Sequence, residues 1–135
     1  MHWSDSYIGM RWQPYATGNG AFDCWGLVQH CLKQHYGITL DRYIDIVTDD
    51  HKAFNRAVFT ELSGGQWIKI DKPIDGTVVL MSQNKLFHHI GLFTDGLVLH
   101  SKDGADVCKE TLKTLQKTGF KRIEFYIHER IAKSS

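Results

Sequence analysis

Gly20-Ala21-Phe22-Asp23-Cys24-Trp25-Gly26-Leu27-Val28 closes a glycine-containing loop and opens an apolar helical pattern, with a cysteine at the junction. A helix N-terminus presents backbone N–H groups that lack helical partners, together with the positive end of the helix dipole. A thiol held there is favoured as thiolate, the form that attacks carbonyl carbon. Leu27, Val28, Cys31 and Leu32 share one helical face, Asp23 is placed to cap the helix, and Gly37 after Tyr36 to stop it. The stretch therefore predicts a cysteine at the start of a buried helix. With histidines later in the chain, that cysteine becomes a candidate nucleophile.

Upstream, Gln13 to Gly20 carries Pro14, Gly18 and Gly20 and reads as a loop. Downstream, Ala53, Phe54, Ala57, Val58 and Leu62 recur at helical spacing, giving a second helix that starts near Asp49 or Asp50 and ends at Gly64-Gly65. The period then changes. Residues 66–70, 77–81, 87–94, 97–100 and 122–128 read as strands, and Asp95-Gly96 between two apolar runs is a hairpin turn. A short helix is expected over 111–117. Helices first and a strand meander second give an α+β class, with N-terminal helices packed on a mostly antiparallel β-sheet.

The chain has 135 residues, 42% of them hydrophobic and 23% charged, which suits one domain over residues 1–135 with its own core. Net charge is +1 and no block of like charge occurs, so nucleic acid is not an expected partner. The stretch Met1 to Tyr7 has neither a basic nor an apolar signal region, and no apolar run approaches a membrane span. The expectation is a protein made in the cytoplasm without a signal peptide and not inserted in a membrane. Cys24, Cys31 and Cys108 contain no CxxC pair, so reduced thiols are expected, with Cys31 in the core and Cys108 without a role.

A nucleophilic thiol needs a base. Of His2, His30, His35, His51, His88, His89, His100 and His128, two flank the predicted hairpin turn: His89 before it and His100 after it. As cross-strand or diagonal neighbours, one imidazole can face the thiol while the other fixes its tautomer. His88 is the rival base. Adjacent strand residues point to opposite faces, and Gly91, open to close approach by helix or substrate, favours His89; His88 is left to line the substrate groove. His30 and His35 stand five residues apart, off one helical face, and no HExxH occurs, so no metal site is expected.

Phe22-Asp23-Cys24-Trp25-Gly26-Leu27-Val28 resembles the nucleophile motif of the NlpC/P60 cysteine peptidases. His89-Ile90-Gly91-Leu92-Phe93 resembles that family's base motif, Leu99-His100-Ser101 its third-residue motif, and Ile74 to Leu80 the strand before the base. The likeness runs in order from about Tyr7 to Ser101, and Trp25 after the cysteine is most similar to the phage and prophage tail subgroup. The resemblance implies a papain-like fold with Cys24 as nucleophile, His89 as base and His100 orienting His89. It implies hydrolysis of amide bonds in peptidoglycan stem peptides, often between D-glutamate and a diamino acid, with no metal or cofactor. Delivery by a phage tail or secretion system reconciles a cell-wall substrate with the missing signal, and tail-tip proteins or an immunity protein become possible partners.

The family's tyrosine near the oxyanion site has two counterparts here. Trp12 matches by spacing and offers an indole N–H; Tyr15, after Pro14, matches by local pattern and offers a hydroxyl. The backbone N–H of Cys24 is the other expected oxyanion donor. Trp12, Tyr15, Trp25 and His88 are expected to line the substrate groove. Two other readings keep the same motifs: a non-catalytic tail-assembly protein, and an acyltransferase or amidase acting on another substrate.

Overall fold

The computed structural model describes residues 1–40 and 50–134. A 3-10 turn at Trp3–Tyr7 leads into three two-residue strands, β1 (Arg11–Trp12), β2 (Thr17–Gly18) and β3 (Ala21–Phe22), in the order β1-β3-β2. Helix α1 (Cys24–Tyr36) follows directly. Its start is fixed by Asp23, whose Oδ1 accepts from the Gly26 N–H at 2.6 Å while Oδ2 accepts from the Tyr15 N–H at 3.0 Å. One carboxylate thus caps the helix and ties down the preceding loop. Its end is Gly37, left-handed at φ 70°, as the sequence predicts.

Helix α2 (His51–Leu62) is capped by Asp50; the alternative start, Asp49, lies outside the described residues. The strands β4 (Trp67–Ile70), β5 (Thr77–Ser82), β6 (His89–Thr94), β7 (Leu97–Lys102), β8 (Asp106–Glu110) and β9 (Arg122–His128) form one antiparallel sheet. Their order is β4-β9-β5-β6-β7-β8. Helices α3 (Leu112–Lys117) and α4 (Glu129–Ser134) complete the described chain. The α+β class with a mostly antiparallel sheet is therefore what the chain adopts.

Both faces of the sheet are covered. Leu27, Val28, Cys31 and Leu32 of α1 and Phe54 of α2 pack with Val78, Leu80, Ile90, Leu92 and Leu99. Alternate residues, Val79, Met81 and Val98, pack with Leu115 and Phe120 on the other side. This is why β5 reads as a continuous apolar run rather than an alternating one.

The Asp95-Gly96 turn has φ of 55° and 74°, the double left-handed geometry that suits the right-handed strand twist. The β6–β7 register pairs Leu92 with Leu99, and its continuation sets Gly91 opposite His100 and His89 diagonal to it. A Cβ on Gly91 would stand 2.7 Å from Val98 Cγ1 and 3.2 Å from His100 Cβ. The close approach at Gly91 is therefore made by β7 itself, not by the helix or by substrate as the sequence suggests. The residues before His89 also differ from expectation: Phe87 and His88 precede the strand, where the Ser82 hydroxyl holds the turn by bonding the carbonyls of Asn84 and Leu86.

Strand β8 is not predicted by the sequence. It pairs directly with β7, His100 against Cys108, and Lys109 Nζ reaches Asp5 at 3.0 Å and Asp95 at 2.8 Å. Those contacts bind β8 to the N-terminal turn and to the hairpin.

Candidate active site

The first turn of α1 meets the start of β6 and the end of β7. The Ser101 hydroxyl donates to the Phe22 carbonyl at 2.6 Å, tying the chain just before Cys24 to the residue just after His100. Around this junction lies a cleft of about 190 Å³ lined by residues that include Cys24, His89, His88, Trp12, Lys102 and Phe120.

Cys24 is buried at 1% exposure. Burial first, and the Asp23 charge second, push its thiol up to about 12, against the backbone N–H groups of Ile90, Trp25 and Cys24 that favour thiolate. This corrects the expectation drawn from the helix dipole: loss of hydration outweighs the helix terminus. His89 is held well below the ordinary histidine range, by burial first and then by His100, His88 and Lys102. The resting pair is thus neutral thiol and neutral imidazole. No hydrogen bond among the described residues joins the two side chains; they share the cleft.

His89 Nε2 stands 2.8 Å from His100 Nδ1, and His100 Nε2 stands 2.9 Å from Glu110 Oε1. A carboxylate only accepts, so His100 carries its proton on Nε2 and accepts at Nδ1. His89 must then donate from Nε2, which leaves its Nδ1 unprotonated as the basic nitrogen. Glu110 therefore writes the tautomer of both rings. Burial nevertheless lowers the His100 pKa, with Glu110 opposing it, so the second ring also rests neutral. The ring of Phe120 stacks on His89 at 5.5 Å and 11° and holds its plane.

The other predicted residues divide. Trp12 is half-buried in the cleft wall, its backbone N–H bonded to Asp106 Oδ1 at 2.9 Å. His88 lines the cleft too, stacked on His51 at 4.4 Å, with Nε2 accepting from the Gln83 N–H. Tyr15 is 48% exposed, sits at φ 64° and is not among the cleft residues. Trp25 is turned into the core at 5% exposure, edge-on to Phe54. The groove assignment of Tyr15 and Trp25 is therefore corrected: backbone capping turns one outward and helix packing turns the other inward. Cys31 is core, as expected.

The sequence points to neither Glu110 nor Phe120. Glu110 lies in a polar alternating stretch whose only clue is its place two residues after Cys108, and Phe120 follows Gly119 with no motif around it.

The profile described as the NlpC/P60 family matches residues 11–123. The fold is similar to the crystal structure of the NlpC/p60 domain of peptidoglycan hydrolase SagA. That match has a TM-score of 0.61 and 16% identity, over 92% of this chain and 91% of that one. It is also similar to NlpC1 from Trichomonas vaginalis (TM-score 0.63, 16% identity) and to NlpC2 from the same organism (0.60, 18%). Each of these two matches covers 93% of this chain, which spans only 41% and 44% of those longer proteins. No curated protein shows a significant match. Because the profile match takes in Cys24, His89, His100 and most of the remaining sequence, this chain belongs to the NlpC/P60 family.

Proposed function

We propose that the protein is a cysteine peptidase that hydrolyses amide bonds in peptidoglycan stem peptides, with Cys24 as nucleophile, His89 as base and His100 as the residue that positions it. The observation that carries this reading is the His89–His100–Glu110 relay opening onto the Cys24 cleft. It leaves a basic nitrogen on the same cleft as a thiol that needs a base, because that thiol is neutral at rest.

His89 Nδ1 takes the thiol proton as sulfur attacks the amide carbonyl and the C–S bond forms. The Cys24 backbone N–H steadies the oxyanion, and the Trp12 indole is the side-chain donor at the cleft wall. The C–N bond then breaks, and His89 returns the proton to the departing amine. Water attacks the thioester with the same base, releasing the carboxylic acid and restoring the thiol. None of these steps calls for a metal or cofactor.

Family membership and the likeness to a peptidoglycan hydrolase domain support the substrate class. The bond between D-glutamate and the diamino acid is the proposed target. The proposed context is delivery to the cell wall by a phage tail or secretion system, with tail-tip or immunity proteins as partners. In that reading residues 1–135 form one catalytic domain. No helix among the described residues is long and apolar enough to cross a membrane.

Digestion of purified peptidoglycan, read by mass spectrometry for wild type beside Cys24→Ala, tests this. Stem-peptide fragments from wild type alone are expected. No cleavage by folded wild type, or equal release by both, would overturn it.

A further inference from the structure

Beyond His89, on the far side of the His100 ring, three ligand-type atoms converge. His100 Nε2 is 2.9 Å from Glu110 Oε1 and 3.5 Å from Cys108 Sγ, and that sulfur is 3.3 Å from the same carboxylate oxygen. The register brings them together. His100 pairs directly with Cys108 across β7 and β8, and Glu110 follows two residues later, so all three side chains share one sheet face. The His100 ring is fully buried, whereas Cys108 and Glu110 are partly exposed, so the cluster is both fixed and reachable.

An imidazole nitrogen, a thiol and a carboxylate form a ligand set for zinc. Bonds of about 2.0–2.2 Å to nitrogen and oxygen and about 2.3 Å to sulfur, at tetrahedral angles, set ligand atoms roughly 3.3–3.6 Å apart. The two separations to sulfur already meet that spacing. The third opens by a few tenths of an ångström as the His100–Glu110 hydrogen bond gives way. A ligating histidine donates its other ring N–H to an acceptor. Here the partner nitrogen is in place, as His89 Nε2, and it becomes the acceptor once its own proton has moved.

We propose that His100 Nε2, Cys108 Sγ and Glu110 bind a zinc-type divalent cation, and that the bound ion reverses the relay and switches the base off. Cys108 releases its proton to solvent and binds as thiolate. His100 loses its Nε2 proton to solvent as that nitrogen's lone pair binds the metal, the His89 Nε2 proton passes to His100 Nδ1, and His89 Nδ1 takes up one proton from solvent. His100 then donates to His89 Nε2, so His89 carries its single proton on Nδ1 and can no longer accept one from Cys24. The effect on the base rests on the reading of His89 given above; the binding itself does not.

The test uses the full chain with Cys24→Ala, which removes the nucleophile's thiol as a rival ligand. Calorimetric titration with zinc chloride is expected to give one ion per chain, and cobalt(II) to give a thiolate-to-metal absorption band. Adding Cys108→Ala, or the nearly isosteric Cys108→Ser if alanine prevents folding, is expected to abolish both. Nitrogen-15 NMR of the histidine rings is expected to show His89 passing from the Nε2–H to the Nδ1–H tautomer as zinc is added. Absence of binding, or binding and absorption that survive loss of Cys108, would overturn the site. Binding with an unchanged His89 tautomer would overturn the switch. None of these readouts needs turnover of peptidoglycan, so a failure here is distinct from a failure in the digestion assay.

Discussion

At Cys24, burial and the neighbouring carboxylate outweigh three backbone N–H groups, while at the other end of the site Glu110 fixes which nitrogen of each histidine is basic. Neither effect is visible from residue type alone. Glu110 acts through His100 and His89, so its removal should reduce turnover more than binding. Glu110→Ala is expected to lower kcat by roughly 10- to 100-fold with KM little changed, the scale seen when a carboxylate that orients a functional histidine is removed. Glu110→Gln can still turn its carbonyl oxygen to His100 Nε2–H, and is expected to recover a substantial part of the loss. Steady-state kinetics of the two variants on a stem-peptide substrate separate a tautomer effect from simple unfolding; equal loss in both would refute it.

At the scale of elements, the start of α1 serves two demands that conflict. Asp23 caps the helix and ties the loop at Tyr15, yet its charge works against thiolate formation at the next residue. Asparagine keeps a capping oxygen and removes the charge. Its Nδ2 cannot accept from the Tyr15 N–H, so Asp23→Asn is expected to cost about 1 kcal/mol at the loop and to speed alkylation of Cys24 by iodoacetamide at neutral pH. Asp23→Ala loses the Tyr15 tie as well as the cap and is expected to cost about 1 kcal/mol more. Urea denaturation and mass-spectrometric alkylation rates check both, and slower alkylation in the asparagine variant would contradict the electrostatic account. The elements differ in how strongly their own residues mark them. Helix α1, with Asp23 and Gly37 at its ends, and the Asp95-Gly96 hairpin carry local signals that any context must obey. Strand β8 carries almost none: Asp106, Lys109 and Glu110 surround only Val107 and Cys108, as suits a charged edge strand. Its pairing with β7 is a long-range fact, and with it Glu110 stayed hidden.

For the molecule as a whole, the histidines set an acid limit. Burial lowers the pKa values of His30, His35, His88, His89 and His128, so each sits below its unfolded value of about 6.5. Below that pH the unfolded chain takes up more protons than the folded one, so stability is fully present above about 6.5 and falls as the pH drops. Cys24, Cys31 and Cys108 are pushed the other way, each to about 12, and stability should decline again as the pH rises past the ordinary thiol range. Thermal melts across pH are expected to show a maximum between these limits, and a melting temperature that rises on acidification below 6 would count against the buried neutral histidines.

The sequence by itself determined the element that bears Cys24, the hairpin that brings His89 and His100 together, and the order of motifs that marks the NlpC/P60 family. All three rest on caps, turns and periodicity within short stretches. Only the tertiary structure decided that Cys24 and His89 rest neutral, that Glu110 and Phe120 hold the His89 ring and its tautomer, and that Trp12 rather than Tyr15 faces the cleft. Those outcomes depend on burial and on contacts between residues far apart in the chain, and no local pattern encodes how much water a folded site excludes.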